Sequence, residues 1–99
     1  MTDPIATLAS ADRRTVLSCL DDYPTAVDIE ELATDFAAER TGTSPDAVTK
    51  SDREAAHVRL HHVHLPKLDR AGFVDFDHET GTVRRVRDEA TDVSFALSD

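Results

Sequence analysis

Four of the chain's five histidines fall within eight positions of the stretch HVRLHHVHLPKL (residues 57–68), at 57, 61, 62 and 64. Imidazole can ligate a metal, reach a purine edge or a phosphate, or lie half-buried with one nitrogen satisfied. His57, His61 and His64 are spaced i, i+4 and i+7, and an unbroken helix would set them on one side. Two histidines at i, i+4 can chelate a divalent ion. No cysteine or carboxylate stands at ligand spacing beside them, so no metal and no cofactor is expected. On a helical wheel Val58, His61, Leu65 and Leu68 lie within about 80° of one another. That stripe is expected to face the core, with the ring of His61 donating to a carbonyl or carboxylate.

The polar positions around this segment suggest a polyanion partner. Lys50, Arg53, His57, Arg59, His62 and Lys67, with Arg84 and Arg85 further on, carry donors suited to phosphates, and arginine also suits guanine. The plain alternative is a solvated helix face laced with ion pairs. For Arg84 and Arg85 it is pairing with Asp75 and Asp77 across a hairpin. Neighbouring strand residues face opposite sides, so one of these two arginines must point away from the body. A second apolar strip, Ala56, Leu60 and Val63, falls away from the first. It either packs under the preceding loop through Val48 or forms a dimer interface, to which Val93 and Leu97 of the tail are further candidates.

Charge is distributed unevenly. The 99 residues carry a net charge of −9, with 20 acidic and 11 basic side chains, and only Lys50 and Lys67 are lysines. Residues 1–49 sum to −7, residues 50–87 to +2 and residues 88–99 to −4, so positive charge is concentrated where the histidines are. An acidic, lysine-poor composition is what a salt-loaded cytoplasm favours, and it speaks to solubility rather than to a ligand. One cysteine, Cys19, excludes an internal disulfide and a cysteine-rich zinc site and fits a reducing, cytoplasmic setting. No apolar run approaches the roughly 18 residues of a membrane span, and MTDPIATLAS lacks the order of a signal peptide.

The elements that would position these groups can be read from period and punctuation. Residues 1–9 read as a loose arm, residues 10–87 as one domain, and residues 88–99 as an acidic tail or short helix. Val16, Leu17 and Leu20 predict a first helix from about Asp12 to Asp22, closed by Pro24. Asp28 with Glu31 resembles a capping box, and Ile29, Leu32, Ala33, Phe36 and Ala37 form one stripe of a second helix ending before Gly42. TGTSPDAVTK (41–50) is a loop. Ser51 with Glu54 predicts the start of a third helix running to about Arg70, kinked or broken at Pro66 and stopped by Gly72. The period then changes to 2: FVDF (73–76) and TVRRV (82–86) flank DHETG, a two-stranded hairpin.

Three helices followed by a basic hairpin predict a mainly α fold with a small β-hairpin, of winged helix-turn-helix type. HLPKLDRAGFV (64–74) resembles the H-L-x-x-L-x-x-A-G-L-V segment that closes the recognition helix of arsenic-repressor-type winged-helix regulators, with Phe73 in place of Leu. Over about residues 10–87 the chain is similar to small haloarchaeal winged-helix domains. The resemblance implies a transcriptional regulator that binds double-stranded DNA, its third helix in the major groove and its wing on the backbone or minor groove, and a homodimer is expected. The loop between second and third helices is longer than the three or four residues of a compact helix-turn-helix. No catalytic constellation or phosphate-binding glycine loop stands out, so an enzyme is not expected. The competing reading is a winged-helix module that docks a protein partner without touching DNA.

Overall fold

The computed structural model describes residues 4–86. In chain order it contains α1 (Pro4–Leu8), α2 (Ala11–Leu20), β1 (Val27–Asp28), α3 (Ile29–Thr41), a 3-10 turn (Pro45–Ala47), α4 (Lys50–Arg59), a π-helical segment (Leu60–His64), α5 (Leu65–Arg70), β2 (Val74–Asp77) and β3 (Thr82–Arg85). The fold is mainly helical, with a small antiparallel three-stranded sheet in the order β1-β3-β2. Among the described residues no helix is long and apolar enough to cross a membrane.

Two expectations near the N-terminus need correction. Residues 4–8 are helical rather than a loose arm, because the next helix holds them: Arg13 Nε donates to the Thr7 carbonyl (2.6 Å) and Arg14 to that of Leu8 (2.6 Å). Those carbonyls end a helix and lack partners within it, so the arginines supply them. The hairpin also gains a third strand. Val27 pairs with Val83 and Asp28 with Thr82, while the Ile29 amide donates to the Gly81 carbonyl at 2.8 Å. A two-residue strand carries no readable alternation, which is why the period missed it.

The apolar stripe of α3 is buried as its spacing predicts, and Asp28 caps it by accepting from the Glu30 amide at 2.9 Å. Val16, Leu20, Leu32, Phe36, Leu60, Leu65, Leu68 and Val83 are the large side chains at the centre of the core. In the hairpin Val74, Phe76 and Val83 face inward and Asp75 outward, the alternation of a half-buried sheet. Gly72, with φ +86°, ends α5. The Phe73 and Gly72 amides return to the Leu68 and Asp69 carbonyls, a left-handed cap open to glycine at no steric cost.

The third helix starts earlier than the Ser51 pattern implies. Thr49 is its cap, accepting from the Asp52 amide at 3.0 Å, so Ser51 lies within the first turn. Pro66 does not break it. The five residues before Leu65 widen into a π turn, with the Leu65 amide returning to the Leu60 carbonyl, and Pro66 then occupies the first turn of α5, where no amide is needed. This insertion overturns the straight-helix wheel. Ala56 and Leu65, nine residues apart, would lie on opposite sides at about 100° per residue, yet both are buried. Val58, assigned by the wheel to the core stripe, is instead 58% exposed.

Candidate nucleic-acid interface

α4 rests on α3 through Ala56 and Leu60 and turns its opposite side outward. Arg59 is exposed and Arg53 half-buried, and neither forms an ion pair among the described residues. Lys50 is exposed and lies 3.9 Å from Glu54, a contact too solvated to hold either group firmly. His57 is half-buried, its Nδ1 3.7 Å from Glu30 at the start of α3. His62 is exposed, as is Lys67 on α5. Glu54, His57, Val58, His61 and His62 line a shallow groove of about 500 Å³ along this helix.

The hairpin arginines are differently placed. Arg84 donates to Asp75, directly across the strand pair, at 3.0 Å, which is the pairing alternative named above. Arg85 points back into the fold. It donates to the Phe73 and Val86 carbonyls at 2.9 and 3.1 Å, and its Nε lies 3.4 Å from Asp21 at the end of α2. Arg85 therefore fastens the hairpin to α2, and Arg84 is the outward one of the two.

His64 stands apart from the other histidines, which gather around His61. His64 is buried against the Phe36 ring, with Nε2 3.9 Å from Asp12, and neither ring nitrogen has a hydrogen-bond partner. Burial pulls its pKa down, while the Asp12 charge opposes that and Arg13, Arg59 and Arg40 add to it. His61 lies among His62, His78, Phe76 and His57, with ring centres 4.7 to 6.2 Å away. Its Nδ1 is buried with no hydrogen-bond partner among the described residues, so that nitrogen does not make the expected donation. Desolvation lowers the pKa of His61, and repulsion from His62, His78 and His57 lowers it further. Among the described residues no group of three histidine, cysteine or carboxylate side chains is arranged to hold a metal.

His78 and Phe76, which join helix to hairpin through His61, had no signal in the sequence, because only the tertiary fold brings the turn beside α4. The dimer expectation is corrected in part. Ala56 and Leu60 lie in the protomer's own core, since the π insertion turns them inward, whereas Val63 is 43% exposed. Val93 and Leu97 lie outside the described residues.

A family model described as a domain of unknown function (DUF7344) matches residues 5–84. The chain belongs to that family. The matched span runs from α1 into β3 and so includes all of α4, the π segment and the hairpin turn. No curated protein and no solved structure matches the chain.

Ser18, Cys19, Asp22, Tyr23, Asp35 and Glu39 help line an acidic cavity of about 220 Å³ between α2 and α3. Tyr23 donates to Asp35, which raises the phenol's pKa. Burial, then Asp35, Glu39 and Asp22, pushes the Cys19 thiol up to about 12. A thiol held protonated in this way is not an activated nucleophile at neutral pH. The acidic cavity thus lies between α2 and α3, whereas Arg53 and Arg59 of α4 form no ion pair among the described residues.

Proposed function

We propose that this chain is a winged-helix DNA-binding protein and a transcriptional regulator, with α4 lying in the major groove and the β2–β3 hairpin as its wing. The observation that carries the reading is α4 itself. It is a helix with one exposed side, on which exposed Arg59 and half-buried Arg53 form no ion pair among the described residues, on a chain whose acidic cavity lies between α2 and α3. Helices α2 and α3, then α4 continued through the π segment into α5, then a hairpin whose β3 is braced by β1, support the fold assignment. Cations that meet no carboxylate can displace counterions from phosphates, which supplies affinity without reading sequence. The net charge of −9 opposes approach at low salt, and salt screens that opposition within a few ångströms of the surface. A dimer would meet through surface other than Ala56 and Leu60.

The test is a gel shift with duplex DNA from upstream of the chain's own gene, run from low to molar salt. A shift whose log affinity falls linearly with log salt is expected. Absence of any shift across the series overturns the reading. A second reading, docking of a protein partner on the same helix, is favoured by Glu54 and Val58, which face outward among the cations. It is the one left standing if the gel shift fails.

A further inference from the structure

The outward side of α4 has an order that the list of its cations conceals. At about 100° per residue, Ser51 and Glu54 lie within about 40° of Val58, and Ala55 about 60° from it. All four are exposed. The buried Ala56 and Leu60 lie about 160° from Val58, so Val58 marks the crest of the helix. Arg59 stands about 100° to one side of that crest with exposed Asp52 near it at about 120°, and Lys50 and His57 about 80° and 100° to the other, with Arg53 further round at about 140°. A helix seated in a groove points its crest at the base edges and its flanks at the two phosphate walls.

We propose that Glu54, Ala55 and Val58 set the sequence preference of α4, and that they select pyrimidines. Glu54 accepts from the N4 amine of cytosine, and Ala55 and Val58 pack on thymine methyls. The flanking cations hold phosphates. This inference rests on the DNA-binding reading and departs from the expectation that arginines read guanine. Two features favour it. Val58 is the most exposed large apolar side chain of α4, where an unsatisfied valine gains by covering a methyl. Among the described residues Glu54 has only the weak, solvated contact with Lys50 to give up, and a carboxylate at the crest can accept from a base but is repelled by a phosphate.

The experiment selects duplexes from a randomised pool at low salt with the wild-type chain and with Val58→Ala, Glu54→Gln and Arg59→Ala, after thermal melts confirm that each folds. Replacing thymine by deoxyuridine in the wild-type duplex removes only the methyl. It is expected to weaken wild-type binding about fourfold per contacted methyl and to leave Val58→Ala indifferent at one position, the signature of a direct pair. Glu54→Gln is expected to lose its cytosine preference at one position, and Arg59→Ala to bind every duplex more weakly while selecting the same sequence. The inference is overturned, with DNA binding intact, if Val58→Ala and Glu54→Gln select the wild-type sequence and Val58→Ala still distinguishes thymine from deoxyuridine. It is also overturned if Arg59→Ala alone changes the sequence chosen. If no duplex is retained by the wild-type chain, the DNA-binding reading falls and this inference with it.

Discussion

The arginines of α4 and those of the hairpin are the same side chain in opposite circumstances. Among the described residues Arg53 and Arg59 form no ion pair, whereas Arg84 lies 3.0 Å from Asp75 and Arg85 3.4 Å from Asp21 while donating to two backbone carbonyls. A guanidinium already paired must surrender that partner before it can serve a phosphate. One without a partner loses only water and counterions. Counting arginines therefore overstates the hairpin as a DNA surface and understates the helix. Arg85 instead helps to hold the hairpin to the helical body, beside the buried Val74, Phe76 and Val83.

The sharpest way to break this contrast is to remove both unpaired arginines. The double variant Arg53→Ala/Arg59→Ala is expected to lose about 50-fold in duplex affinity near 0.1 M salt and to flatten the salt slope by about 1.8, roughly 0.9 for each phosphate contact. Its melting temperature should stay close to the parent's. A salt slope that does not change would show that these cations touch no phosphate. Arg85→Ala should behave in the reverse way. It leaves the Phe73 and Val86 carbonyls without their charged donor and is expected to cost about 1–3 kcal/mol of stability in denaturant titration, with the salt slope of binding unaltered. A slope reduced along with stability would return Arg85 to the interface.

Acid tests the seam between the two regions. His61 joins α4 to the hairpin through His78 and Phe76, and His64 lies in the core beneath. Both have pKa values below the ordinary 6.5, for burial first and like charge second in His61, and for burial against the pull of Asp12 in His64. Near and below that value the unfolded chain binds more protons at these sites than the folded one, so acid favours unfolding. Their contribution is whole above about pH 6.5 and is lost as pH falls from there toward the lowered folded values. A melting series from pH 8 to about 5 should show this decline, and His61→Phe should lessen it. A decline identical in that variant would remove His61 from the account.

How much of this was legible in the sequence depends on how local the cause is. The stripes of α2 and α3, the Asp28 cap and the glycines at 72 and 81 follow from spacing and backbone freedom, and each stands where the pattern puts it. The crest of α4 was misread for one reason: a wheel drawn straight through residues 57–68 cannot anticipate a π turn ahead of Pro66. That single change of phase sends Val58 out and Leu60 in. The partners of Arg85 and the ring of histidines around His61 were invisible for another reason. They bring together residues of separate elements, Asp21 with Arg85 and His61 with His78, and no periodicity reports such meetings.

The subtlest probe of the contrast adds rather than removes. Asp75 is exposed and holds Arg84 at the outer surface of the hairpin, so Asp75→Asn releases the arginine without moving a strand. Solvent already screens the pair, and stability should change by less than about 1 kcal/mol. If the hairpin lies against DNA as a wing, the freed guanidinium finds a phosphate. Affinity then rises a few-fold and the salt slope steepens by about 0.9, a gain that Asp75→Asn/Arg84→Ala should forfeit. If affinity and slope stay as they were, the hairpin stands clear of the duplex and the interface belongs to α4 alone. In that case the pairing of Arg84 with Asp75 is only a cross-strand brace, and the difference between the two sets of arginines is one of function as well as of contact.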